Sequence, residues 1–95
     1  MATTDIDKKA LAAHVIRALG RAHAQNRAVT LAELARSVRV RQPDVRGIVS
    51  SLDREGFVDA RRMRLTLAGL ALATSLAGLR LPALRVAQAA SVAAA

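Results

Sequence analysis

Two short apolar stripes at helical spacing, interrupted by only Arg39-Val40-Arg41, constrain this chain more than any other feature of it. Leu31, Leu34, Ala35 and Val38 recur with the period of one helix face, and Val45, Ile48, Val49 and Leu52 repeat the pattern after the break. Thr30 and Glu33 stand in the reciprocal spacing of a capping box, in which the hydroxyl accepts an orphan backbone N–H and the carboxylate reaches back to the cap. That pairing fixes the first helix start. Gln42-Pro43-Asp44 has first-turn chemistry, because a proline there forfeits no hydrogen bond and an acidic residue suits the helix dipole. The pattern therefore predicts two helices joined by a tight turn, the second running from Gln42 to Glu55.

Opposite the apolar stripe of the second helix lie Pro43, Arg46, Gly47, Ser50 and Arg54. A helix with this small, polar and basic outer face matches the major groove of B-DNA, about 12 Å wide. Gly56 falls where a helix ends, and Phe57-Val58 begins a strand. Phe57 to Ala60 and Met63 to Thr66 read as two strands of a hairpin whose tip carries Arg61 and Arg62, without the Gly or Asn that tight hairpins prefer. Ala28-Val29 offers a third, short strand to pair with it.

Leu31-Ala-Glu-Leu-Ala, Val38-x-Val40-x-Gln42-Pro43-x-Val45, Leu52-Asp-Arg-Glu-Gly56-Phe57-Val58 and Leu65-Thr66-x-x-Gly69, in that order, resemble a winged helix-turn-helix DNA-binding domain. The similarity spans roughly Ala10 to Leu79 and is greatest to MarR-like bacterial regulators. It implies a mainly α fold with a small β-hairpin wing, transcriptional repression, and a bacterial cytoplasmic location at the nucleoid. Three positions depart from the pattern. Arg39 stands where the turn often has glycine, Arg41 where a hydroxyl residue normally caps the helix, and Gly47 where an arginine is usual.

On this reading Gln42, Arg46 and Ser50 reach base edges. Asp44 caps its helix or accepts from a cytosine amino group, and Gly47 lies on the same surface. Arg41, Arg54, Arg61, Arg62 and Arg64 neutralise phosphates or probe a narrow minor groove. Two rival readings remain open: a winged helix used for protein assembly, and a sequence-tolerant protein that coats chromosomal DNA.

The charge balance agrees with a polyanionic partner. The chain has 95 residues, a net charge of +8 and no cysteine, which bounds it to one small domain without disulfides or thiolate metal ligands. Phe57 is the single aromatic residue, so stacking platforms for unpaired nucleic acid are missing and double-stranded DNA is the expected target. The polar, acidic start of the chain is unlike a signal or transit peptide.

A first helix is expected from about Asp5 to Ala24, opened by Thr4 and Asp7, with Leu11, Val15, Ala18, Leu19 and Ala22 on its inner stripe. His14 and His23 lie nine positions apart, too far to share one metal, and no metal or other cofactor is expected. Nor is catalysis, since the sequence offers no cysteine nucleophile, glycine-rich phosphate loop or evident base for Ser50-Ser51.

From Leu65 to Leu79 no charge occurs, and Thr66 can cap a further helix. On a helical wheel Leu67, Leu70 and Thr74 oppose Leu72, Leu76 and Leu79, more apolar surface than one small core covers. Gly69, Ala73 and Ala77 would admit another helix closely. A homodimer through Leu72, Leu76, Leu79 and Leu84 is the expected outcome, because the stretch is shorter than the about 20 residues that span a bilayer. Residues 1–80 form the DNA-binding domain on this reading, and 81–95 an Ala-rich helix or tail serving the dimer. A small-molecule effector is not expected, since long flanking helices and an aromatic pocket are missing.

Overall fold

A computed structural model describes residues 7–81, and their order is helix, helix, helix, hairpin, helix. The helices are α1 (Lys8–Ala24), α2 (Leu31–Val38), α3 (Gln42–Arg54) and α4 (Leu67–Leu76), with strands β1 (Val58–Asp59) and β2 (Arg64–Leu65) between α3 and α4. The fold is mainly helical, with one small antiparallel hairpin.

The start of α1 differs from the sequence expectation. The Asp7 carboxylate accepts from the Lys9 and Ala10 backbone N–H groups at 3.0 and 3.2 Å, so Asp7 caps the helix and Lys8 begins it. Thr4, the other expected cap, lies outside the described residues. Leu11, Val15, Ile16 and Leu19 are buried and form the floor of the core, on which α2, α3, α4 and β2 all pack.

The capping box at α2 is complete. Thr30 Oγ1 accepts from Glu33 N at 3.1 Å, and the Glu33 carboxylate accepts from Thr30 N at 2.9 Å. The Thr30 backbone N–H bonded to the carboxylate, aided by the Thr30 side chain and the nearby charges of Arg27 and Arg36, holds the Glu33 carboxyl below its ordinary value of 4.5. The helix ends at Arg39, in the left-handed region with φ 60°. Its N–H bonds back to Arg36 O at 3.3 Å, and Val40 N bonds to Ala35 O at 3.0 Å, closing the turn into α3.

Leu34, Ala35, Val38, Val40, Val45, Ile48, Val49 and Leu52 are all buried, so both predicted stripes face the same core. No polar or charged side chain is buried among the described residues. Their hydrophobic interior is held together by apolar area and shape alone.

The hairpin is shorter than expected. Val58 pairs with Leu65 and Asp59 with Arg64, leaving residues 60–63 as the loop. Met63 takes a positive φ of 52° there, the role a glycine would fill at less cost. Ala28-Val29 is not a strand, and among the described residues the sheet has two strands only.

Thr66 joins the hairpin to α4 and to the end of α3. Its hydroxyl donates to Gly56 O at 2.6 Å and accepts from Gly69 N at 3.1 Å, while its backbone N–H donates to Phe57 O at 3.0 Å. The helix that follows is shorter than the uncharged stretch: Ala77 is extended and Gly78 has φ 83°, so α4 stops at Leu76 and Leu79 lies beyond it.

The core meets α4 between the two predicted leucine faces. Gly69 is buried, and Leu70, Leu72, Ala73 and Leu76 are half-buried against the core, so neither face is wholly covered or wholly free. The small-residue stripe serves this internal contact. A Cβ added at Gly20 of α1 would stand 2.9 Å from the Ala73 Cβ, which places α1 as the helix that approaches it. Leu67 remains 85% exposed and Leu79 53%.

Candidate nucleic-acid interface

The inward stripe of α3 sets the direction of its outer face. With Val45, Ile48, Val49 and Leu52 committed to the core, helical geometry turns Gln42, Arg46, Gly47, Ser50 and Arg54 outward, and all five are exposed. Arg46 makes no hydrogen bond or ion pair with the described residues. Nothing lies within 4 Å of a Cβ built at Gly47. The result is an open ridge with one small gap in its middle and a guanidinium beside the gap.

Arg41 and Asp44 differ from this. Arg41 supplies no side-chain cap to α3 and instead pairs with Asp44, Nε to Oδ2 at 3.5 Å across one helical turn. The arginine side chain is 82% exposed, so solvent screening keeps the pair weak and a phosphate could compete for the guanidinium. Asp44, half-buried and paired, is tied to its own helix rather than presented on the ridge. Arg54 Nη2 donates to Ser51 Oγ at 3.3 Å, which lays that side chain along the last turn.

The hairpin tip is organised by two aspartates that sequence spacing gave no reason to single out. Asp59 Oδ1 accepts from the backbone N–H groups of Arg61 and Arg62 at 3.1 and 3.3 Å, folding the tip into a side-chain-supported turn. Asp53, near the end of α3, accepts from Ala60 N at 2.8 Å and ties the tip to that helix. The chain leaves the helix and enters a strand between Asp53 and Ala60, so no single period links them, and only a general taste of aspartate for turn N–H groups could have hinted at the bond.

Arg61, Arg62 and Arg64 are exposed on this hairpin. Arg62 Nε lies 3.8 Å from Asp59 Oδ2, a loose and solvent-exposed pair. Arg41, Gln42, Arg46, Ser50, Arg54, Arg61, Arg62 and Arg64 thus all sit on α3, its N-cap or the hairpin attached to its end.

The expected dimer residues are distributed differently. Leu72 and Leu76 are half-buried against the core of their own chain, Leu79 is exposed after the helix, and Leu84 lies outside the described residues, as does the expected C-terminal helix. No helix among the described residues is long and apolar enough to cross a membrane. No protein-family model, no curated protein and no solved structure matches this chain.

Proposed function

We propose that this chain is a winged helix-turn-helix protein that binds double-stranded DNA and regulates transcription as a repressor, with α3 as the reading helix and the hairpin as the wing. The outward ridge of α3 carries the reading: Arg46, Gly47 and Ser50 lie open to solvent on a helix whose opposite side is fully committed to the core. An α-helix fits the major groove, and a guanidinium there pairs with the O6 and N7 acceptors of guanine. Gln42 offers the amide geometry suited to adenine, and Ser50 bonds to either kind of base edge. Arg41, Arg54, Arg61, Arg62 and Arg64 neutralise phosphates, the sequence-independent part of the affinity.

A homodimer belongs to this reading. One module reads few base pairs, whereas two placed about 34 Å apart read a two-fold site. The exposure of Leu67 and Leu79, and the half-exposure of Leu72 and Leu76, supports a second copy covering α4 and the residues after it. Light scattering checks this as a mass of twice 10.0 kDa rather than 10.0 kDa.

Duplex titration between about 50 and 200 mM salt tests DNA binding. A reader loses affinity steeply across that range and prefers one duplex to its scrambled counterpart. Arg46→Ala relaxes preference at particular base positions, and Arg61→Ala with Arg62→Ala weakens all duplexes alike. A salt slope without preference identifies a coating protein, and no duplex binding at all identifies an assembly module; either result sinks the regulator reading.

A further inference from the structure

A second concentration of positive charge lies away from the α3 ridge. Between α1 and the turn that follows α2 is an open cleft of about 330 Å³ with Arg17, Arg21, Ser37 and Arg39 on its walls and His14 at its edge. No carboxylate among the described residues lines it. The described carboxylates are engaged elsewhere: Asp7 caps α1, Glu33 closes the capping box, Asp44 and Asp59 pair with arginines, and Asp53 holds the hairpin. Glu55, the remaining one, terminates α3 and is not among the lining residues.

Two of the three guanidiniums stand out from the other arginines. Arg17 is the only described arginine that is half-buried rather than exposed, and its Nη1 donates to Leu79 O at 3.0 Å, a bond that restrains the side chain and leaves its other N–H groups for a ligand. Arg39 occupies the left-handed turn at φ 60°, where a non-glycine residue costs on the order of 1 kcal/mol. A glycine would make the same turn without that cost.

We propose that this cleft is a phosphate-binding site, with Arg17, Arg21 and Arg39 as its cationic walls and Ser37 as a hydroxyl donor. Three arginines lining one concavity outmatch a single carboxylate and call for a multiply charged anion. Guanidinium forks fit phosphate oxygens bidentately, and restraint of Arg17 lowers the ordering cost of binding. The phosphates come either from a free polyphosphate or from a nucleic-acid backbone held at a second surface; the site stands on its own geometry and does not require the α3 ridge to read DNA.

The test compares two charge-matched double variants of the full chain. Arg21→Gln with Arg39→Gly removes two of the three arginines lining the cleft, and Lys9→Gln with Arg27→Gln removes equal charge outside it. Glycine at position 39 suits the turn, so the melting temperature of the cleft variant holds or rises and weaker binding is not unfolding. Tripolyphosphate titrated calorimetrically at about 50 mM salt should bind the cleft variant at least about tenfold more weakly than the wild type, since two charge-assisted contacts are lost, and the control variant within about twofold. In a parallel titration with duplex DNA, a free-polyphosphate site leaves the two variants equal, whereas a backbone site makes the cleft variant weaker than the control with a shallower salt slope. The proposal is overturned if neither probe distinguishes the cleft variant from the control, or if the wild type binds neither probe. A wild type that binds tripolyphosphate but no duplex sinks the DNA reading and leaves the cleft standing.

Discussion

The Gly69 α-carbon packs directly against the Phe57 backbone carbonyl, so closely that a β-carbon at position 69 would collide with that oxygen. The same carbonyl accepts the Thr66 N–H at 3.0 Å. Being backbone, it cannot swing aside as a flexible side chain would. The contact places the first turn of α4 on the segment leaving α3.

Gly69→Ala should therefore destabilise the protein although alanine is the better helix former. Overpacking of this kind costs about 1–3 kcal/mol, outweighing the up to about 1 kcal/mol gained from helix propensity. Thermal unfolding followed by circular dichroism should show a drop of several degrees. A rise in melting temperature would show that α4 does not sit as described.

Gly47→Ala is the counterpart with opposite sign. The position is mid-helix and exposed, with open space where the methyl group would go, so the exchange should stabilise by roughly 0.5–1 kcal/mol. Urea titration with an unchanged m-value checks it. If α3 also enters a groove through that gap, duplex affinity falls while stability rises.

Thr30→Ala should cost about 1 kcal/mol at neutral pH by leaving the Glu33 N–H without its cap. The partner effect depends on pH. The Glu33 carboxyl is depressed in the folded chain, so its contribution is fully present above the ordinary 4.5 and disappears as pH falls through the lower folded value. Glu33→Gln keeps an acceptor for the Thr30 N–H but does not titrate. The difference in stability between wild type and this variant should shrink on acidification, and a difference independent of pH would contradict the capping geometry.

Asp53→Ala should loosen the hairpin without unfolding the helices. The lost bond to the Ala60 N–H is exposed, so the effect is about 0.5–1.5 kcal/mol and local. Amide hydrogen exchange reads it as faster exchange at Ala60, Arg61 and Arg62, with the α1 core amides unchanged. Uniform acceleration across the chain would instead make Asp53 part of the global fold.

Short-range chemistry explains which of these features were legible in the sequence. The stripes of α2 and α3 and the Thr30–Glu33 box are encoded within a few residues, and the helices form where those signals place them. The outward set on α3 followed from the inward set, because a helix has only two sides to assign. Thr66 as the cap of α4 was equally local.

What escaped depends on distance along the chain. Asp53 meets Ala60 across the end of a helix, and Arg17 reaches Leu79 over 62 positions, so neither has a periodic signature. The packing of α4 misled for a related reason. A helical wheel gives relative directions but not the direction of the core, which falls between the two leucine faces and is set by the fit of Gly20 to Ala73. The α1–α2 cleft was missed because its arginines belong to separate elements.

An interior without a single polar side chain among the described residues leaves this core free to drift. Aliphatic residues of similar volume substitute for one another in such a core at little cost, since no hydrogen-bonding partner fixes their identity. The residues that do fix identity are few and lie at the seams: Asp7, Thr30, Glu33, Asp53, Asp59, Thr66 and Gly69. Two descendants of this protein could share those seven positions and little else, and still adopt the same shape.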